Sequence, residues 1–261
     1  MNRTQTLLLG LASVLFLFFI AVPVAAVFLY TTPSQLASAI TSDAVITPLK
    51  LSFLTATVSA TLVVIVATPL SYALARRRFR GRLFLDTLVD IPMVLPPSVA
   101  GLALLLAFAP RGLVGRYLLQ QGIVLPGSLI AVIMAEAFVA SPFYFRSSKT
   151  AFESVNQRIL DSARILTKSD ARVFLRVTLP LASRGILAGF IMCWARALGE
   201  FGATLLFAGN LPGVTQTMPL AIYIAMASNL VAADALSVIL IVISFVVLAA
   251  FKFLGGWQKP A

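Results

Sequence analysis

The sequence predicts an all-α membrane protein with six transmembrane helices and both termini on the inner side. Three observations carry that prediction. Hydrophobic residues make up 60% of the chain and charged residues 11%, against ~45–50% and ~25% in a typical soluble domain. The apolar residues gather into runs that meet the ~20 residues a membrane-spanning helix needs. Lys and Arg collect in alternate connecting segments, as positively charged cytoplasmic loops do. No composition shift or low-complexity tract divides residues 1–261, so the chain reads as one domain.

The first span is expected at 7–29, apolar except for Ser13 and preceded by Arg3. A secretory signal peptide competes for this stretch, but the run exceeds the ~7–15 residues of a signal core, which favours a retained helix. Residues 31–48 are polar and rich in turn formers, and are expected as an outer loop. The second span, 51–75, carries Ser52, Thr55, Thr57, Ser59, Thr61 and Thr68. Small hydroxyl residues let helices approach and bond across them, so this helix belongs inside the bundle. It stops at Arg76-Arg77-Arg78-Phe79-Arg80-Gly81-Arg82, the strongest topological signal in the chain. The third span, 85–109, contains Asp90, Pro92, Pro96 and Pro97. Proline frees backbone carbonyls, giving either a simple kink or a bend that lines a pathway.

Residues 110–127 form the next outer loop. The fourth span, 128–145, holds Glu136, which either pairs with Arg196 or faces a cavity. The long basic loop 146–184 follows, then the fifth span, 185–207. Gly209-Asn210 and Pro212-Gly213 mark turns in an outer loop at 208–219. Residues 220–228 are apolar but too short to cross, which fits a re-entrant or interfacial helix. The sixth span is 235–254. In this layout the inner segments hold sixteen Lys and Arg: Arg3, five at 76–82, eight at 146–184, Lys252 and Lys259. The outer loops hold Lys50, Arg111 and Arg116.

The net charge of +11 would suggest nucleic acid in a soluble protein. Here the basic runs are short and flanked by membrane spans, so nucleic acid is not an expected partner. The chain has no His and a single Cys, Cys193, which removes His-based metal sites, His-dependent triads and an intrachain disulfide. No Lys follows a Gly, so a Gly-Lys-Ser/Thr phosphate loop is absent. Any ATP must be bound by another subunit.

Two stretches carry chemistry. In the inner loop, Asp161, Arg164, Lys168, Asp170, Arg172 and Arg176 keep the chain out of lipid. Ile159, Ala163, Leu166, Val173 and Val177 recur at helical spacing and mark an apolar face. That face docks a cytoplasmic partner or lies on headgroups. Arg164, Lys168, Arg172 and Arg176 would form a basic stripe on one continuous helix, but Ser169 as an N-cap would break it into two. In the fifth span, Arg196 and Glu200 lie four apart and share a helix face. Each alone would cost ~2.5–3.5 kcal/mol at mid-bilayer. The pair is either a structural tie or the border of a water-filled cavity or gate, where Gly199 and Gly202 remove bulk. Gly185 and Gly189 make a small-xxx-small packing face.

Asp161-Ser162-Ala163, Thr167 and Leu179-Pro180 resemble the Glu-Ala-Ala, Gly and Leu-Pro positions of the EAA loop in binding-protein-dependent ABC importer permeases. Asp161 is a methylene shorter than Glu, and Thr167 stands where the family has Gly. Residues 69–77, 91–97, 195–204 and 208–223 resemble the molybdate-type oxyanion branch of that family. The Gly199-Glu200-Phe201-Gly202 and Thr215-Gln216-Thr217 blocks are the most specific. The resemblance implies a homodimeric permease for molybdate or tungstate, with sulfate as the alternative anion. It also implies two cytoplasmic ABC ATPase subunits that bind ATP and Mg, and an extracytoplasmic oxyanion-binding protein. The chain itself would hold no cofactor and no metal, and would not be an enzyme. Leu160, Asp161, Ser162, Ala163, Arg164, Leu166 and Thr167 would belong to the cytoplasmic coupling helices. Arg196, Gly199, Glu200, Phe201, Gly202 and Thr204 would border the pathway gate. The competing mechanism is a gradient-driven secondary transporter using Glu136 and Glu200 as ion relays.

Overall fold

The computed structural model describes residues 3–254 apart from 168, with side chains from 5 to 250. Lys168 and Lys259 lie outside the described residues, and the side chains of Arg3 and Lys252 outside the described side chains. In chain order the helices are α1 (Arg3–Tyr30), α2 (Pro33–Ile40), α3 (Asp43–Arg76), α4 (Arg82–Val94), α5 (Pro97–Phe108), α6 (Gly115–Gln120), α7 (Leu129–Ser154), α8 (Gln157–Thr167) and α9 (Asp170–Val173). A π-helical turn, Phe174–Thr178, leads into α10 (Leu179–Leu198). Then come α11 (Gly202–Phe207), α12 (Met218–Ser228) and α13 (Leu230–Leu254). Among the described residues five helices are long and apolar enough to cross a membrane, and the bent pair α4/α5, counted as one broken span, brings the number to six.

The second span begins at Asp43, the fourth runs on to Ser154 and the sixth begins at Leu230, and three larger expectations change. The polar stretch 31–48 is helical, not a loop. Thr32 and Gln35 close a capping box around the start of α2, with Pro33 at its first position, so these turn-forming residues are caps. The third span is broken, not merely kinked: α4 and α5 meet at 115°. Leu95 and Pro96 are both extended, with ψ of 132° and 138°, because a residue that precedes proline is pushed out of the helical region. The fifth span starts earlier and ends sooner than 185–207. It runs from Asp170 to Leu198, and α11 begins after a three-residue break. The π turn lies just ahead of Pro180, whose ring leaves a carbonyl one turn back without its helical donor.

The bundle is built around α7, which packs against α3, α4, α10 and α11. A Cβ on Gly189 would come within 2.9 Å of the Ser147 side chain, and one on Gly185 would overlap Ala151. Those two glycines are therefore the packing face their spacing predicted. The hydroxyl residues of α3 divide by direction. Ser52, Thr55 and Ser59 are fully buried, and Ser52 Oγ accepts the Met218 N–H at 2.7 Å, which ties α12 to α3. Thr57 accepts from the Trp194 indole at 3.1 Å. Thr61 is exposed and bonds back to its own helix, at the Thr57 carbonyl. The short helix α12 packs against α13 and α3.

Candidate gate and coupling segment

The helix α10 ends where Gly199, Glu200 and Phe201 leave helical geometry, and Glu200 holds the break together. Its Oε2 pairs with Arg196 Nη1 at 2.7 Å. Its Oε1 accepts the Ala203 N–H at 2.9 Å, covering a free donor at the start of α11. Glu200 is 1% exposed and the Arg196 side chain 29%, so the carboxylate is internal and the guanidinium reaches the rim. Phe201 packs against Tyr223 of α12, with ring centroids 5.1 Å apart and the planes tilted by 52°. Thr204 is fully buried, and its Oγ1 has no hydrogen-bond partner.

The two breaks meet. A Cβ on Gly202 would lie 2.6 Å from Pro97 Cβ, and one on Gly101 would lie 2.8 Å from Leu206 Cβ. The starts of α5 and α11 therefore press directly on each other, and Gly202 is the residue that permits it. Gly199 plays no such part: a Cβ there would meet only Ala195 O, at an ordinary 3.7 Å. Within the chain, the close approach of a helix is cleared at Gly202. Glu136 neither pairs with Arg196 nor faces a cavity. It is 1% exposed, with Oε1 accepting from Thr55 at 2.7 Å and Oε2 accepting from Ser59 at 2.9 Å.

The inner segment is two helices, as Ser169 predicted: its Oγ accepts the Arg172 N–H at the start of α9. Breaking the helix changes which residues share a face. Ala163, Val173 and Val177 pack inward, around a cluster that includes Leu160 and Phe152, and Leu160 itself is 1% exposed. Leu166, expected on that face, points outward at 88% exposure beside Ile165, and Ile159 is also exposed. The segment thus has an apolar face already buried on its own chain and a second, outward apolar patch. Asp161 and Arg164 pair at 3.2 Å, and Arg164 Nε bonds Asp170 at 3.1 Å. That bond to Asp170 is the main reason the Arg164 guanidinium is raised further above its usual range. Arg164 is therefore tied within the segment, and the predicted row of free cations is reduced. Ser162 donates to the Arg158 carbonyl, and Thr167 Oγ1 is buried without a partner.

Two features escaped sequence reasoning. Arg76, read only as a topology signal, donates to the Phe152 carbonyl, to the Val155 carbonyl at 2.7 Å and to Gln157 Oε1 at 3.2 Å. It bolts the end of α3 to the corner between α7 and α8. Beside it, Tyr72 contacts the Phe152 and Phe174 rings, with centroids 5.4 and 4.8 Å apart. The second feature is a ladder between α4 and α7. It consists of Arg82–Glu153 at 3.1 Å, Asp86–Lys149 at 2.6 Å and Asp90–Arg146 at 2.7 Å. The four-residue spacing of Arg82, Asp86 and Asp90 was the available signal.

The family described as binding-protein-dependent transport system inner membrane component matches residues 67–260, a region containing both the Gly199–Phe201 break and the inner segment. The molybdenum transport system permease protein ModB of Mycobacterium tuberculosis (strain ATCC 25618 / H37Rv) is 40% identical over 229 residues, 88% of this chain and 87% of the relative. ModB of Escherichia coli (strain K12) is 39% identical over 154 residues, 59% of this chain and 67% of the relative. In fold, the chain is similar to a bacterial ABC transporter involved in the import of the acidic polysaccharide alginate. The TM-score is 0.79 at 16% identity, covering 99% of this chain and 97% of the other.

Proposed function

The chain belongs to the family of binding-protein-dependent transport system inner membrane components, and from that premise we propose that it carries molybdate or tungstate across the membrane as the permease subunit of an ATP-driven importer. It is a multi-pass protein of the inner membrane and a transport component. In the proposed assembly two copies form the pathway, and residues 1–261 act as one permease domain. Two cytoplasmic ATPase subunits bind ATP and Mg, and an extracytoplasmic binding protein delivers the oxyanion. The observation that carries the choice of anion is the 40% identity, over 88% of this chain, to a permease named for molybdenum transport. A solved alginate transporter of similar fold is in complex with a ligand-bound periplasmic protein, which supports the outer partner.

The geometry supports a mechanical role for each part. The outward patch of Ile165 and Leu166 is the surface offered to an ATPase subunit. The inward face at Leu160, with the Arg76 clamp, passes displacement of α8 to α3 and α7. The meeting of the two breaks at Pro97 and Gly202 supports a responsive point near the Arg196–Glu200 pair. ATP binding favours one arrangement of the ATPases, and the docked segment biases the permease between outward- and inward-facing states. Selectivity comes from the binding protein.

The test is uptake of radiolabelled molybdate and tungstate by vesicles containing the permease, its ATPase and its binding protein. Vanadate-sensitive, binding-protein-dependent uptake of either anion is expected. Uptake driven by an ion gradient without ATP would contradict the proposal.

A further inference from the structure

We propose that the groove between α3 and α10, at the basic end of the bundle, binds an anionic phospholipid. Its acyl chain would lie along the helices and its phosphate at Arg77. The groove encloses about 950 Å³, near the top of the ~300–1,000 Å³ range of ligand pockets. Val64, Pro69, Leu187 and Phe190 are among its walls, while Arg77 and Ser183 lie toward its polar end. Along α3 it extends from Val64 to Arg77, ~20 Å at the helical rise. That matches one leaflet of a bilayer whose hydrocarbon core is ~30 Å thick, with a headgroup added. A soluble ligand would leave apolar walls of this length unfilled.

Charge selects the headgroup. Among the described residues, Arg76 is taken up by the α7–α8 corner and Arg82 by Glu153. Arg77 is exposed and has no carboxylate partner there. Asp170 lines the same groove but is paired with Arg164, so it does not neutralise Arg77. An arginine at the inner membrane surface attracts anionic lipid. Ala171 and Phe174, from the inner segment, also line the groove. An occupant therefore touches the segment proposed above to couple ATPase state to the gate. The inference itself rests on the membrane-spanning fold and not on the transported anion, so a failed uptake assay would leave it standing.

A photo-crosslinking amino acid replacing Leu187 tests it in the assembled transporter, in vesicles of equimolar phosphatidylglycerol and phosphatidylcholine. The expected result is about fivefold more phosphatidylglycerol than phosphatidylcholine adduct, the ratio equivalent to the ~1 kcal/mol of one arginine at an anionic surface. Arg77→Gln should bring the two adducts to parity, while Arg77→Lys and Arg80→Gln keep the preference. Equal adducts in the unsubstituted groove, crosslinking to a second copy of the chain, or no lipid adduct at all would each overturn the proposal.

Discussion

At the scale of single residues, the Arg196–Glu200 pair has an observed structural role and a proposed one at the gate, and substitutions can part them. Glu200 is internal and also caps α11 through Ala203. Removing its cation leaves a carboxylate uncompensated, which costs about 3 kcal/mol or more. Arg196→Leu should therefore lower thermal stability clearly. Arg196→Leu combined with Glu200→Leu should recover much of that loss without recovering uptake. Melting temperature and uptake, measured on both variants, check this, and recovery of transport along with stability would make the pair purely structural. Glu136 is the opposite case. Thr55 and Ser59 hold both its oxygens, which leaves it as a packing tie between α3 and α7. Glu136→Gln should keep uptake within about twofold, whereas an ion relay at this position would lose transport. The two acids look alike in sequence. What separates them is a cation four residues away for Glu200 and hydroxyls on another helix for Glu136, and only the first is written locally.

At the scale of elements, α8 divides into an anchored face and an offered face. Leu160→Asp should destabilise the permease, because Leu160 is enclosed by Phe152, Val155, Val173 and Ala182. Leu166→Asp should leave the fold intact and abolish copurification of the ATPase, because Leu166 is 88% exposed. Detergent gel filtration and pull-down of each variant distinguish the two, and equal ATPase capture by Leu166→Asp would remove the proposed docking patch. The helix break at Ser169 was legible because N-cap chemistry is local. The expectation of one apolar face shared by Leu166, Val173 and Val177 failed because the break resets the helical phase, which a single periodicity across 159–177 ignores. Similarly, Pro96 and Pro97 were legible as a disturbance. The 115° bend depends on packing against α11, where Gly202 accepts Pro97.

At the scale of the whole molecule, hydropathy and the sorting of basic residues were enough for an all-α chain with about six spans, since bilayer thickness imposes helix length. The contact of Gly202 with Pro97, which joins the two broken spans, and the Arg76 clamp join residues far apart in the chain, and no local pattern records them. Together they form the proposed mechanical route. It runs from the outward patch of α8, through Leu160 and Arg76, into α3, α7 and α10, and ends where the two broken spans touch beside Arg196 and Glu200. The most direct measurement of that route is the ratio of anion imported to ATP hydrolysed by reconstituted vesicles carrying Ala163→Pro. Proline inside α8 removes a backbone bond and kinks the helix, and the substituted position lies outside the spans themselves. The account predicts continued ATP hydrolysis with uptake reduced to background. Uptake and hydrolysis coupled as in the unsubstituted transporter would contradict it.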